Sequence, residues 1–387
     1  MDSALQSINY NFDVEIDRTN SSSNKWDKYR DQDILPMWVA DCDFKSPPSV
    51  MKALHERIAH GVFGYTHASE RLTNLFIARM ADKYNWHVEP EWVVYLPGSV
   101  CGLNLAARAL TESGQTIISP SPVYPPLISS AKFANKPLIK APVVLKNGRW
   151  LPDHETAGKL LTNQSGLLLV CNPLNPGGTV YRREELEATL SFVEKYNLFV
   201  CSDEIHCDLI LDKHLTHIPF ASLNKSAAER CITLMSPSKT FNIAGLGVSV
   251  AIIPNNELRQ RFIKVKRGIV PNVNVLAFTA AEAAYAYGEG WLQAQVRYLA
   301  NHRDLLKEEI NALPGTTLEH IEATYLAWID CSELPVNNPH QFFEQSGVGL
   351  SPGIDFGNRA FVRLNFGCTR KTLEYALNRM KHAVFAL

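Results

Sequence analysis

Gly166-Leu167-Leu168-Leu169-Val170-Cys171-Asn172-Pro173-Leu174-Asn175-Pro176-Gly177-Gly178 passes from an apolar run straight into a turn crowded with Asn, Pro and Gly. A short apolar run without polar alternation suits a strand covered on both faces by helices. Working outward, runs of the same kind recur at Trp92–Leu96, Thr116–Ser119, Leu198–Ser202, Cys231–Met235 and Gly247–Ile253, with helix-like segments between them. That alternation predicts an α/β domain built on a mainly parallel sheet. In an open sheet of this kind the loops beyond the carboxyl ends of the strands line the ligand crevice, so the turn after Cys171 falls where chemistry is done.

The flanks read differently. Asn20-Ser21-Ser22-Ser23-Asn24 is a polar loop in an N-terminal arm, and Ser46-Pro47-Pro48 supplies an N-cap and early prolines for a helix that stops at Gly61. Leu276 to Leu313 is rich in helix formers and broken only by Gly288 and Gly290, which predicts either a helix pair or a helix bridging into another lobe. Beyond it, Tyr325–Ile329 and Phe361–Asn365 read as strands and Lys371–Phe385 as an amphipathic helix, together a smaller α+β lobe. A chain of 387 residues exceeds what one hydrophobic core usually serves, so two lobes agree with its length.

Composition removes several classes of function. Lys and Arg total 38 against 39 Asp and Glu, a net charge of -1, so no broad field is available to draw in nucleic acid or a membrane surface. The eight cysteines are scattered and form no C-x-x-C pair, as expected of reduced, mostly buried thiols. Cys201, His206 and Cys207 hint at a metal site, but no second cluster completes the ligand set and no metal is expected. The N-terminus lacks the basic start and apolar stretch of a signal peptide, and no segment is apolar enough to span a bilayer. A cytoplasmic protein is the expectation.

Four signals carry chemistry. Asn175 lies in the turn already quoted, although Asn-Pro and Pro-Gly steps are also ordinary turn punctuation. Ser202-Asp203-Glu204-Ile205-His206 follows an apolar strand, where Asp203 can hold a protonated ring nitrogen or simply cap a helix. Ser236-Pro237-Ser238-Lys239 follows the next strand, and a lysine desolvated in the crevice can serve as a Schiff-base amine; a surface lysine would look the same. Arg363 interrupts the apolar Phe361–Phe366, and its planar fork suits a carboxylate as well as a structural ion pair.

Taken in order, Asn175, Asp203, Lys239 and Arg363 resemble the fold-type I pyridoxal 5'-phosphate (PLP) enzymes of the aspartate aminotransferase superfamily, over nearly the whole chain. The resemblance implies a large PLP-binding domain (46–285) with a mainly parallel seven-stranded sheet flanked by helices. It also implies a small domain formed from the N-terminal arm (1–45) and the C-terminal segment (286–387). It implies that Lys239 is the Schiff-base lysine, that Asp203 pairs with the pyridine nitrogen, and that Asn175 bonds the phenolic oxygen. His206 stands where many relatives have tyrosine. Ser236 and Ser238, with the backbone amides of Ser99 and Val100 at a helix N-terminus, match the phosphate ligands. Tyr124 matches the ring that stacks on the cofactor, and Tyr65 the tyrosine lent to a neighbouring subunit, which implies a homodimer with sites at the interface. Arg363, Asn175 and the backbone at Ala40 match substrate ligands.

Longer motifs resemble one branch, the MalY/PatB-type cystathionine β-lyases or C-S lyases. They are Trp38-Val39-Ala40-Asp41-Cys42-Asp43-Phe44, Phe63-Gly64-Tyr65-Thr66, Pro122-Val123-Tyr124-Pro125-Pro126, Asp203-Glu204-Ile205-His206-Cys207-Asp208-Leu209, Lys239-Thr240-Phe241-Asn242-Ile243-Ala244-Gly245-Leu246 and Gly347-Val348-Gly349-Leu350-Ser351-Pro352-Gly353. The arginine that follows the Schiff-base lysine in many aminotransferases is absent from Gly245–Ser249, as it commonly is in this branch. Cys42, Gly178 and Cys101-Gly102 depart from the branch and bear on substrate preference more than on reaction type. The implied reaction is α,β-elimination from an L-cysteine thioether such as cystathionine, with a class I/II aminotransferase as the alternative.

Overall fold

The computed structural model describes residues 10–387. Past the arm, the chain forms a two-residue strand β1 (Leu35–Pro36) and the helix Pro48–His60. The eight strands that follow are β2 (Val93–Leu96), β3 (Thr116–Ser121), β4 (Leu138–Lys146), β5 (Arg149–Pro152), β6 (Ser165–Cys171), β7 (Phe199–Asp203), β8 (Cys231–Met235) and β9 (Ser249–Ile252). They make one sheet in the order β2-β9-β8-β7-β6-β3-β4-β5. The central run from β8 to β4 is parallel, and the antiparallel pairings lie at β2-β9, β9-β8 and β4-β5. Every residue of β6, β8 and β9 is buried, which is why these strands read as unbroken apolar runs.

All six strands expected from apolar runs are present, but the sheet has eight strands rather than seven. The hairpin β4-β5 supplies the edge, and its half-exposed faces alternate Lys140, Lys146 and Arg149 with apolar residues. Its turn is Asn147-Gly148, both with positive φ (51° and 74°), the backbone of a two-residue hairpin loop. The expected cap at Ser46 also fails. Pro47 is the N-cap of Pro48–His60 without a side-chain bond, while the Ser46 hydroxyl donates to the Asn242 carbonyl at 2.9 Å. Gly61 ends that helix as expected, in the left-handed conformation at φ 77°.

The helix pair is observed at Val275–Tyr287 and Glu289–Asn311. The C-terminal lobe forms a second sheet from β10 (Thr317–Leu318), β11 (Leu326–Asp330), β13 (Ser351–Pro352) and β14 (Phe361–Asn365), in the order β10-β11-β14-β13. A further strand, β12 (Val348–Gly349), runs parallel to β1 and so ties the arm to this lobe. The helix Arg370–Phe385 closes the chain. One core fills the large sheet's flanks; a second joins the C-terminal lobe to Met37, Val50, Leu72, Leu209 and Phe241, so the lobes are packed through shared apolar residues. Among the described residues no helix is long and apolar enough to cross a membrane.

Candidate active site

Parallel register brings the carboxyl ends of three adjacent strands together. Cys171 at the end of β6 pairs with Asp203 at the end of β7, and Asp203 with Leu234 in β8. Asn175, Asp203 and Lys239 therefore leave neighbouring strands at one edge of the sheet, the position at which such sheets bind ligands. Lys239 sits in the short helix Pro237–Thr240, whose N-cap Ser236 accepts from the Ser238 amide.

Asp203 is buried, and its carboxylate accepts only a long bond from the Ile205 amide at 3.4 Å. Burial pushes its pKa up to about 7, with Glu204 adding to the rise and Lys239 opposing it. His206 is buried with neither ring nitrogen partnered, and burial beside Lys239 and Arg363 pushes its pKa down to about 3. A carboxylate short of a cationic partner and an imidazole short of any partner are what a heteroaromatic cofactor with a basic ring nitrogen and a phenolic oxygen would complete. Tyr124 stands at the N-terminus of the helix Pro125–Phe133, half-buried, and its amide donates to the Asn175 carbonyl at 2.9 Å. The helix Ser99–Ala109 begins after Gly98 with no side-chain cap, which leaves the first-turn amides of Ser99 and Val100 for an anion. The residues present thus fit PLP.

The hydroxyls of Ser236 and Ser238 both donate to the Val248 carbonyl, at 2.7 and 3.1 Å, so here they fasten the lysine turn to the chain entering β9. Tyr65 stands apart from these groups: its side chain is fully exposed (111%) in the loop between the helices Pro48–His60 and Glu70–Tyr84.

Arg363 comes from the other lobe. It faces Trp328 and Ser351 across the strands, and its guanidinium donates to Asn175 Oδ1 at 3.0 Å, the Trp38 carbonyl at 2.8 Å and the Ser351 hydroxyl at 3.3 Å. Its Nε has no partner among the described residues, no carboxylate of those residues pairs with it, and the ring of Phe356 lies 4.6 Å away. Burial lowers its pKa to about 10. A buried cation that lacks its anion is a site prepared for one.

A strap of backbone, unmarked by any periodicity in the sequence, links these groups. Six consecutive carbonyls from Met37 to Cys42 are each held by site residues. Met37 O accepts from the Asn365 amide and Trp38 O from Arg363 and Ser351. Val39 O and Asp41 O accept from Asn365 Nδ2, Ala40 O from Lys239 and Tyr325, and Cys42 O from Asn242. The strap is anchored outward as well. Asp43 accepts from buried Lys25 at 2.7 Å, from Arg18 at 2.6 Å and from the Trp26 indole at 3.1 Å. Asn365 was detectable as the second polar residue on the Arg363 face of its strand, and Asn242 as a polar residue inside an apolar motif.

Residues 32–380 match the family model described as aminotransferase class I and II. The chain belongs to this family. It is 36% identical over 386 residues to the cystathionine β-lyase PatB of Bacillus subtilis, covering 97% of this chain and 100% of that one. The solved structure of OvoB superposes with a TM-score of 0.96 at 51% identity, over 98% of this chain and 100% of that one. Cystalysin from Treponema denticola, whose structure contains PLP, superposes with a TM-score of 0.93 at 30% identity, again over 98% and 100%.

Proposed function

We propose that this protein is a PLP-dependent carbon-sulfur β-lyase that eliminates a thiol from L-cysteine thioethers, cystathionine among them. When bound, PLP supplies an electron sink for the charge that develops at the substrate Cα. Lys239 would hold the cofactor through its amine and is the group placed to take the Cα proton; burial and Arg363 lower its pKa, which favours the basic form. Asp203 would keep the ring nitrogen protonated, Asn175 and His206 would bond the phenolic oxygen, and Tyr124 would pack on the ring. Ser99 and Val100 would bind the phosphate through their amides, with Ser236 and Ser238 holding the adjoining turn. Arg363, Asn175 and the backbone at Ala40 bind the substrate's carboxylate end. Water then converts the three-carbon fragment to pyruvate and ammonia, so cystathionine yields homocysteine, pyruvate and ammonia.

The observation that carries this reading is the strap: the carbonyls that hold Arg363 and Lys239 are only two residues apart, at Trp38 and Ala40. A carboxylate-binding cation and a proton-accepting amine are thereby set within one amino acid's reach of each other. The names of the relatives, cystathionine β-lyase and C-S lyase, support elimination over transamination. The domain division at about residues 45 and 285 is part of the proposal, as is a homodimer in which Tyr65 completes the neighbouring site. Supporting the dimer, Val62 (62%) and Phe63 (55%) are exposed beside Tyr65, an apolar tip that a second copy would cover.

Incubation with L-cystathionine and no oxo-acid tests the function. Pyruvate, ammonia and homocysteine should appear in equal amounts, and alanine with 2-oxoglutarate should turn over far more slowly. Efficient glutamate formation with no oxo-acid-independent pyruvate from any thioether would replace the lyase with an aminotransferase.

A further inference from the structure

Tyr325, immediately before β11, is among the largest fully buried side chains, and nothing above gives it a part in the reaction. Its hydroxyl donates to Ala40 O at 3.1 Å, and the Lys239 amine donates to the same oxygen at 2.5 Å. Phenol and amine therefore meet at one carbonyl. The carbonyls on either side are pinned separately by Asn365, so Ala40 O is the one point of the strap held by an aromatic hydroxyl. The Tyr325 backbone is fixed in turn, its carbonyl accepting the Phe366 amide at 2.9 Å, and its ring meets His206 edge-on at 6.0 Å between centroids.

We propose that Tyr325 is a positioning residue for proton transfer: by bonding Ala40 O, it fixes the acceptor against which the Lys239 amine rests while that amine carries the substrate proton. The inference rests on the reading of Lys239 as the base. The titratable and charged groups around the phenol are His206, Lys239, Arg363, Asp41 and Cys42. Burial holds the phenol's pKa well above its usual value, so it stays protonated and remains a donor. Without it the carbonyl loses one of its two donors, and a lysine ammonium rests on a less firmly held acceptor. The Tyr325 hydroxyl bonds Ala40 O and not Asn175, Trp38 or Ser351, the partners of Arg363, so the larger effect falls on the proton-transfer step.

The test is Tyr325→Phe, with the exposed Tyr375→Phe as control. In Tyr325→Phe, kcat should fall about 2- to 12-fold, the equivalent of one hydrogen bond between neutral groups, while KM changes less than about twofold. The deuterium isotope effect with α-deuterated substrate should grow. In the full-length chain freed of cofactor, Lys239 should be acetylated faster than in wild type at neutral pH, because its ammonium is less well held; peptide mass spectrometry reads this independently of any reaction. An unchanged isotope effect and unchanged Lys239 labelling overturn the proposal, as does a rise in KM with kcat intact. Should Tyr325→Phe not fold, a polyfluorinated tyrosine at position 325 keeps the ring and hydroxyl but ionises at lower pH. The alkaline fall of kcat should then move to lower pH, and an unmoved limb overturns the proposal. If wild type itself makes no pyruvate, the lyase reading fails while the labelling result still judges Tyr325.

Discussion

Replacing Arg363 by methionine should separate stability from activity, costing activity far more than stability. The guanidinium is buried and its pKa is depressed to about 10, which corresponds to roughly 3 kcal/mol of charge that burial leaves uncompensated. The sign follows from linkage: a cation whose folded-state pKa lies below its unfolded value is charged in both states near neutrality, so the penalty is constant there and fades only as pH rises past 10. Methionine retains much of the apolar stem. It forfeits the bonds to Asn175, the Trp38 carbonyl and Ser351, each worth about 1.5 to 3 kcal/mol because the donor is charged, though Ser351 still donates to Trp38 O. The lost bonds thus match or outweigh the relieved burial penalty, and the net change is a loss of between zero and about 3 kcal/mol, visible as an unchanged or modestly lowered urea midpoint for the cofactor-free protein. In catalysis, a desolvated partner of the substrate carboxylate is lost, at about 2 to 5 kcal/mol, so kcat/KM should drop about 30- to 5,000-fold. Arg363→Lys should rescue poorly, since lysine cannot make the forked contact. A methionine variant that is less stable and fully active would show that the arginine serves the fold.

Borohydride reduction of the yellow holoenzyme followed by peptide mapping should place the cofactor on Lys239, and a label on any other lysine would remove it from the site. Asp203→Asn should slow turnover about 100- to 1,000-fold, within the range seen when an electrostatic contact to the transition state is lost, while cofactor still binds. Because burial raises the Asp203 pKa to about 7, the carboxyl's contribution to stability is lost as pH rises from its unfolded value through 7. The cofactor-free Asp203→Asn protein should thus unfold at higher urea than wild type at pH 8, with the gap closing by about pH 4; equal midpoints throughout would mean that Asp203 is not desolvated. Mixing inactive Tyr65→Ala and Lys239→Ala chains should restore activity through mixed dimers with one intact site, and no recovery after subunit exchange has been demonstrated would place Tyr65 outside the partner's site.

Much of the fold was legible because β6, β8 and β9 are buried along their whole length, so their sequences could not alternate. The strand at Phe361–Asn365 was legible from alternation instead, with Arg363 and Asn365 interleaved with Val362 and Leu364, and Leu326–Asp330 from the stretch Tyr325–Ile329. The edge hairpin was not: β4 carries Lys140 and Lys146 on half-exposed faces, and its signal lay in the Asn147-Gly148 turn rather than in hydrophobicity. Ser46 misled because a serine before two prolines has the form of a helix cap, whereas tertiary contact with Asn242 claims its hydroxyl. Local chemistry proposes such a bond, and a neighbour some two hundred positions away decides it.

The site shows the same division. Asn175, Asp203 and Lys239 follow strands, and a parallel sheet carries strand ends to one edge, so topology alone predicts that they converge. The strap obeys no such rule. Its specificity resides in backbone carbonyls, which every residue possesses, and in donors drawn from positions 239, 242, 325, 351, 363 and 365. No periodicity along the chain can mark a carbonyl as occupied. What the sequence does contain is the donors, polar side chains in otherwise apolar stretches: Asn242 within Phe241–Leu246, and Arg363 and Asn365 on one face of a buried strand. Burying such groups is unfavourable unless each finds a partner. In this fold one short segment partners most of them at once, so the arm that carries it is as much a part of the candidate active site as the sheet edge it crosses.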